Sequence, residues 1–471
     1  MNKKIASCLL SLLFLSSCGG GGSAGGGGAA PATGGGGGSA AAPSGPAAEN
    51  ADTRTIRIGS WWDFYFTSKD KDIHADPKVN DEIRAQAMLD NLRRVEEKYN
   101  ARIKDVNLTW EGSIESINTS IMAGQPDCDM YYVDLQFGVP AVLNGYALAL
   151  EDFLDPSSDI LNGQVGMKHL NLMDSPKNYL FSEVEKDAVG YPLGFNLDMI
   201  EDANLEDPRD LYERGEWTWD KWREYMQKLT KDTNGDGVVD VYGYGGYWVN
   251  LLQEMLLSNN AHIAGDKKEG ISSPATLEVL SFINDMYNTD KSARPWDETL
   301  WENNLTPFVD GAMAFFTTKD WIISEMTHNG DDLSFELGVV PYPYGPSGTK
   351  ASSQKTAVGG NWLMIPIGVK DPKFVYEVYE AYRNWYDGDL EIRDEGGTAD
   401  WQRDMYLSDR NFDMALENGK VSAFDMWNAM GIAEELTLVN IMNGTETPAQ
   451  YSEKNRQIVQ DRINSYFGVG N

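Results

Sequence analysis

Residues 19–48 hold 14 glycines, and alanine, serine and proline fill most of the remainder. A tract so poor in large apolar side chains has nothing to bury and behaves as flexible coil. It divides the chain into a leader before it and a folding body after it, from about Asp52 to the C-terminus. Its root-mean-square reach is roughly 30 Å, from about 5–6 Å times the square root of its length. The stretch Gly21-Gly22-Ser23-Ala24-Gly25 fits the hydrolase pattern G-x-S-x-G, but no strand precedes it and it reads as a compositional accident.

The leader has Lys3 and Lys4, an apolar run Ile5–Leu15, and then Ser16-Ser17-Cys18. This layout reads as a signal peptide over 1–17, too short to span a membrane. Small residues directly before a cysteine resemble a bacterial lipobox. That resemblance implies cleavage before Cys18, acylation of Cys18 by palmitate-type chains, and a tether over 18–51. The body is then expected outside the cell or in the periplasm, lipid-anchored to the cell membrane. Cys8 leaves with the leader, so Cys128 is the one cysteine of the body and no intrachain disulfide is expected.

The formal charge is −33, and loss of Lys3 and Lys4 takes it to −35. Such a body repels nucleic acid and anionic lipid, so nucleic-acid binding is excluded. About 420 residues exceed one comfortable core, so two lobes are expected.

Hydrophobic periodicity places a strand at Thr55–Trp61, a helix at Asp81–Asn100 and a strand at Ile103–Trp110. A helix over Ser113–Ala123 and a strand at Met130–Val133 follow. The apolar stripe of the first helix is Ile83, Ala87, Leu89, Leu92, Val95 and Tyr99. Later helices are expected at Thr218–Thr230, Pro274–Asn288, Pro372–Tyr386 and Ala449–Tyr466, with strands at Phe335–Val340 and Asn361–Pro366. The alternation predicts an α/β fold whose sheets are mostly parallel and flanked by helices. Ligands then sit beyond the carboxyl ends of the strands. Those ends carry Trp61, Trp62 and Asp63, Trp110 and Glu111, and Asp134.

No triad, metalloprotease motif or phosphate loop occurs outside the accidental match, and the four histidines lie far apart in sequence. With 72 carboxylates, chance acidic pairs carry no weight as a glycosidase dyad. Aromatic residues are the positive signal, with 14 Trp and 22 Tyr. A flat, weakly polar ring stacks on the C–H face of a sugar, while acids and amides bond its hydroxyls. Trp61, Trp62, Trp110 and Trp362 are the candidate stacking residues, and Trp385 falls on a core stripe. Asp232, Asn234, Asp236 and Asp240, with the Val238 carbonyl and Gly237, reproduce most of a calcium loop. Position 12 is Gly243 rather than Glu, so a structural Ca²⁺ would bind more weakly than in a full loop. The alternative is a polar turn.

Several segments in order resemble the extracellular solute-binding proteins of ABC importers, in the carbohydrate branch that includes maltose-binding protein. They are Gly124-Gln125-Pro126-Asp127, Gly190-Tyr191-Pro192-Leu193-Gly194-Phe195-Asn196, Trp217 with Trp222, and Phe308-Val309-Asp310-Gly311-Ala312-Met313 followed by Trp321. Val340-Pro341-Tyr342-Pro343-Tyr344-Gly345-Pro346 and Gly359-Gly360-Asn361-Trp362 complete the set. Cys128 and the Lys319-Asp320 pair depart from the pattern. The resemblance implies a two-lobed periplasmic-binding-protein-like fold with a ligand cleft. One lobe would combine 52–192 with 312–368, and the other 193–311 with 369–471. It also implies a monomer that captures a sugar or oligosaccharide and delivers it to ABC importer permease subunits. Asn196, Trp248, Asp320, Trp321, Asn361 and Trp427 join the binding residues on that ground. A glycan-degrading surface lipoprotein and a ligand-presenting sensor subunit are the alternatives.

Overall fold

The computed structural model describes residues 53–63, 67–75, 82–163, 166–172, 175–184, 189–265, 267–296, 305–328, 333–357, 361–395, 403–423, 426–433 and 435–467. Cys18, the leader and the tether lie outside these residues, as do Gly359 and Gly360.

The strands run β1 (Arg54–Ser60), β2 (Ala101–Asn107), β3 (Met130–Val133), β4 (Met167–Leu170), β5 (Leu180–Glu183), β6 (Leu193–Asn196) and β7 (Tyr242–Gly245). A small hairpin β8 (Ala264–Gly265) and β9 (Lys268–Glu269) follows, then β10 (Met313–Thr317), β11 (Leu337–Val340), β12 (Lys355–Ala357), β13 (Trp362–Met364) and β14 (Val421–Ala423). One sheet has the order β2-β1-β3-β13-β5-β4, and a second has β11-β6-β10-β7. Both are mixed rather than mostly parallel. β1 runs parallel to β2 and β3, whereas β13 runs antiparallel to β3 and β5. In the second sheet β6 is antiparallel to β10 and β11, and only β10 with β7 is parallel.

Each sheet has its own core. Ile56, Ile58, Leu92, Val95, Phe181 and Leu363 pack with Val375, Tyr376 and Tyr379 on the first. Phe195, Trp217, Trp222, Leu252, Phe315 and Val339 belong to the core of the second. These contacts correct the expected lobe boundaries. β10 and β11 were placed with the first lobe, yet their hydrogen-bond ladders join the second sheet. Helix Pro372–Arg383 was placed with the second lobe, yet it packs on helix Glu82–Tyr99 of the first. Non-local ladders and packing assign an element to its lobe, and order along the chain does not report them.

Local expectations fared better. Met130–Val133 is a strand as read, buried at every position because both faces of the sheet are covered: Met130 and Tyr132 pack into one apolar cluster, Tyr131 and Val133 into another. Thr218 caps helix Trp219–Leu229 by accepting from Lys221 N, which fits its Thr-Trp-Asp start. Ile83 is a miss, being 80% exposed. The buried face of its helix instead carries Ala85, Leu89, Leu92 and Val95, together with Asn91 and Glu96. Asn91 is held inside by bonds from its amide to the Ala381 and Tyr382 carbonyls. The strand expected to reach Trp110 ends at Asn107, and Trp110 opens a helix to Ser116, capped by Thr109.

Candidate functional site

Just beyond the carboxyl end of β1, Trp61 and Trp62 meet edge to face with ring centroids 4.9 Å apart. Trp61 also touches Trp110 at 5.1 Å and Phe137 at 5.6 Å, and Trp62 leans on Tyr132 at 4.8 Å. All three tryptophans are half-buried. Edge-to-face contacts fix the rings without covering every face, so aromatic surface stays available. Beside them Asp63 is exposed and accepts from Asn107 Nδ2 at 2.8 Å. Glu111 is exposed in the first turn of helix Trp110–Ser116.

Asp134 follows β3 and caps helix Leu135–Leu143, accepting from Gln136 N at 2.9 Å. Burial pushes its carboxyl up, against the bonds from Gln136. Trp362 pairs with Val133 at the same end of the sheet. It is 4% exposed, with Lys168 Nζ 5.6 Å from its ring centre and its indole N–H buried without an acceptor. The ring expected to offer a stacking face is thus largely packed, and what it presents is an unused donor. Asn361 is exposed, and its carbonyl accepts from Ser182 Oγ.

A residue that sequence reasoning passed over joins the two halves. Tyr191 lies in the passage from β5 of the first sheet to β6 of the second. Burial raises its hydroxyl above the usual tyrosine range. Asp134 and Asp320 push the same way, as does Glu254, while a hydrogen bond with Trp321 opposes them. Asp134 belongs to the first half, and Asp320, Trp321 and Glu254 to the second. Lys319 Nζ stands 4.8 Å from the Tyr191 ring centre. Asp320 opens helix Asp320–His328 and accepts from Trp321 N at 2.8 Å. Trp321 is 43% exposed, unusual for so large an apolar side chain. The sequence signals for Tyr191 are its place in the Gly190–Asn196 segment that carries the family resemblance and its position before Pro192, which favours extended backbone across the junction.

Three expected site residues are otherwise employed. Asn196 is buried and caps helix Leu197–Asp202, accepting from Met199 N at 3.0 Å, so its acceptor oxygen is spent on the helix end. Trp427 is fully buried in the second core, and Trp248, 6% exposed, packs beside it with ring centres 6.5 Å apart. Neither offers a face as the chain stands.

The loop 232–240 is exposed, and its side-chain oxygens bind its own backbone. Asp232 accepts from Gly235 N and Gly237 N, Asn234 from Asp236 N, and Asp236 from Val238 N. Asp240 accepts from Thr233 N and Oγ1, which hold its carboxyl below the usual range. Gly235 and Gly237 have φ of 78° and 88°, where a side chain is disfavoured. The donor types suit a hard cation. Among the described residues, however, no three His, Cys, Asp or Glu side chains converge as a metal cage would.

The family model described as bacterial extracellular solute-binding protein matches residues 80–382. That is more than half of the chain, which therefore belongs to this family. No curated protein matches it in sequence. Among solved structures, an ABC substrate-binding protein of Listeria monocytogenes in complex with cycloalternan is similar, with a TM-score of 0.59 and 16% identity. The match covers 88% of this chain and 100% of that one. The maltose/maltodextrin-binding domain of Bdellovibrio bacteriovorus, bound to maltotriose, gives 0.58 at 15% identity, over 87% and 100%. UgpB of Mycobacterium tuberculosis, in complex with glycerophosphocholine, gives 0.58 at 15% identity, over 88% and 98%. At such identities the likeness establishes the two-lobed fold. Among the described residues no helix is long and apolar enough to cross a membrane.

Proposed function

We propose that this chain is a lipid-anchored solute-binding protein that captures a sugar or oligosaccharide and hands it to the permease subunits of an ABC importer. The observation that carries the reading is Tyr191, where Asp134 from the first half meets Asp320, Glu254 and the exposed Trp321 from the second, while the Trp61–Trp62–Trp110 cluster stands, like Asp134, at the carboxyl ends of the first sheet's strands. Half-buried rings offer stacking faces. Asp63, Glu111, Asp134 and Asp320 offer the acceptors that ring hydroxyls need. Family membership supports export and binding rather than catalysis, and the bound sugars of two structural neighbours support the ligand class. A ligand touching both halves favours the closed arrangement, which a permease can distinguish from the open one.

The test is a thermal-shift screen against a glycan panel, since a ligand of the native state raises the melting point by mass action. A stabilising glycan that comes back unchanged, with no new reducing ends, supports capture. New reducing ends would make the chain a glycan-degrading enzyme. Silence across the panel would remove the sugar. Cys18 as anchor is tested by metabolic acyl labelling of wild type against Cys18→Ser. A structural Ca²⁺ in the 232–240 loop is a separate proposal. It requires Asp232, Asp236 and Asp240 to turn from backbone N–H groups toward a shared ion.

A further inference from the structure

At the site each tryptophan ring that keeps free surface has an acid beside it in the chain. Trp62 precedes Asp63, Trp110 precedes Glu111, and Asp320 precedes Trp321. Trp62 and Trp110 are half-buried, Trp321 is 43% exposed, and Asp63 and Glu111 are exposed. Asp134 adds a further carboxylate. In the chain it stands between Tyr132, which Trp62 touches at 4.8 Å, and Phe137, which Trp61 and Trp110 touch at 5.6 and 5.1 Å.

These acids have neutral partners. Asp63 accepts from Asn107, Asp134 from the backbone and side chain of Gln136, and Asp320 from Trp321 N. Among the described residues Asp63, Glu111, Asp134 and Asp320 form no ion pair. Asp207, Asp290 and Glu183 show the usual arrangement, with Arg209, Arg223 and Arg383 at 2.7, 2.6 and 2.6 Å. The lysines that reach rings here are otherwise engaged. Lys319 donates to Val189 O at 2.5 Å and stands over Tyr191, and Lys168 stands over Trp362.

Asp134 and Asp320 come from opposite halves and act on one atom, the Tyr191 hydroxyl. Glu254 acts on it too, but is enclosed and accepts from Thr356 Oγ1 at 3.3 Å. Tyr406 adds an independent observation. It is fully buried, its hydroxyl has no hydrogen-bond partner, and the ionisable groups acting on it are Asp320 and Tyr191. A dry phenol oxygen without a donor is an acceptor left open on the Asp320 side.

We propose that the captured ligand is a cation: a sugar bearing an ammonium group, which Asp134 and Asp320 hold between the two halves and the Trp321 ring covers. This deepens the reading of the chain as a glycan-capturing protein and rests on it. Like charges aimed at one hydroxyl repel, and closing the halves around them removes water from both. The hydroxyls of a neutral sugar can bond carboxylate oxygens but bring no charge to offset that cost. An ammonium group brings its donors and a charge together, and a tryptophan face attracts it. Uronates and sugar phosphates meet repulsion, which the net charge of −33 reinforces.

The test is a thermal-shift panel of matched sugars carrying a hydroxyl, an N-acetyl group or a free amine at the same carbon. Glucose, galactose and mannose series, as mono- and disaccharides, are compared at mildly acidic pH, where the amines are charged. Spermidine serves as a cation without a sugar, and galacturonic acid as an anionic sugar. Free-amine members should give the largest shifts. Calorimetry should show them bound about tenfold tighter than their hydroxyl counterparts, the scale of one charge-assisted bond. Salt should erode this margin. Asp320→Asn should erase it, because the amide oxygen still accepts from Trp321 N but carries no charge. Equal or tighter binding of the hydroxyl, N-acetyl or galacturonic acid members overturns the cationic ligand and leaves glycan capture standing. Spermidine bound with no sugar bound supports the cation site and overturns glycan capture. No shift from any member overturns both. If Asp320→Asn does not fold, the wild-type margin decides, and a margin unchanged between low and high salt overturns the proposal.

Discussion

Trp61, Trp62 and Trp110 in one half and Trp217, Trp222 and Trp427 in the other are the same side chain under opposite conditions. The first three are half-buried at strand and helix ends and touch mainly one another, Phe137 and Tyr132. The second three are fully buried. Trp222 packs against Tyr244, Phe282, Phe315 and Tyr342, and Trp217 donates its indole N–H to Pro341 O at 3.1 Å. Aromatic abundance, which suggested carbohydrate, is thus two populations. One builds a core, and the other leaves faces uncovered where the strands end.

The sharpest break of this contrast is Trp222→Ala. Removing a buried tryptophan should cost about 3–5 kcal/mol of stability, read as a lower denaturation midpoint, whatever ligand is present. A loss under about 1 kcal/mol would mean that the second core is loosely packed and the contrast is false.

Trp62→Ala should do the reverse. Ligand affinity should fall by about 1–3 kcal/mol, the scale of a lost aromatic anchor, while the melting curve moves little. Trp321→Ala should behave likewise, and calorimetry with the glycan found by screening reads both. Normal binding by both variants would remove the rings from the site.

A smaller effect belongs to a carboxyl on the first sheet. Burial pushes Asp105 of β2 up to about 7, with Arg383 opposing. Its folded value is raised, so its contribution is complete below about pH 3.8 and lost as pH climbs through 7. Asp105→Asn should flatten the decline of stability between pH 5 and pH 7.5, roughly the interval over which the carboxyl gives up its proton. An unchanged slope would show that Asp105 ionises normally.

The smallest expected shift is calcium's. Melting temperature should rise with the logarithm of calcium concentration, and Asp232→Ala should abolish the rise without changing ligand affinity. Identical curves in calcium and chelator would leave 232–240 a polar turn held by its own Asx bonds.

What was legible in the sequence was local. Periodicity found the helix that runs Glu82–Tyr99 and the strand Met130–Val133, because side-chain spacing reports which face an element buries. Motif order found the family, and strand ends located the Trp61–Trp62 cluster. Where spacing met a tertiary contact it failed. Ile83 fits its stripe but finds no partner, whereas Asn91 breaks the stripe and is buried because two distant carbonyls accept from it. Asn196 looked like a ligand group until a helix claimed its oxygen.

By itself the sequence determined a glycine-rich tract too poor in apolar side chains to bury a core, an α/β body, and a solute-binding family. These follow from composition and near-neighbour order, which survive any arrangement in space. Only the tertiary structure decided that β10 and β11 belong to the second sheet, that Trp427 is core, and that Tyr191 and Glu254 stand at the junction. Those facts depend on hydrogen-bond ladders and burial between residues far apart in the chain. A buried carboxyl such as Glu254 is pushed up from its ordinary value only by the burial that folding imposes on it.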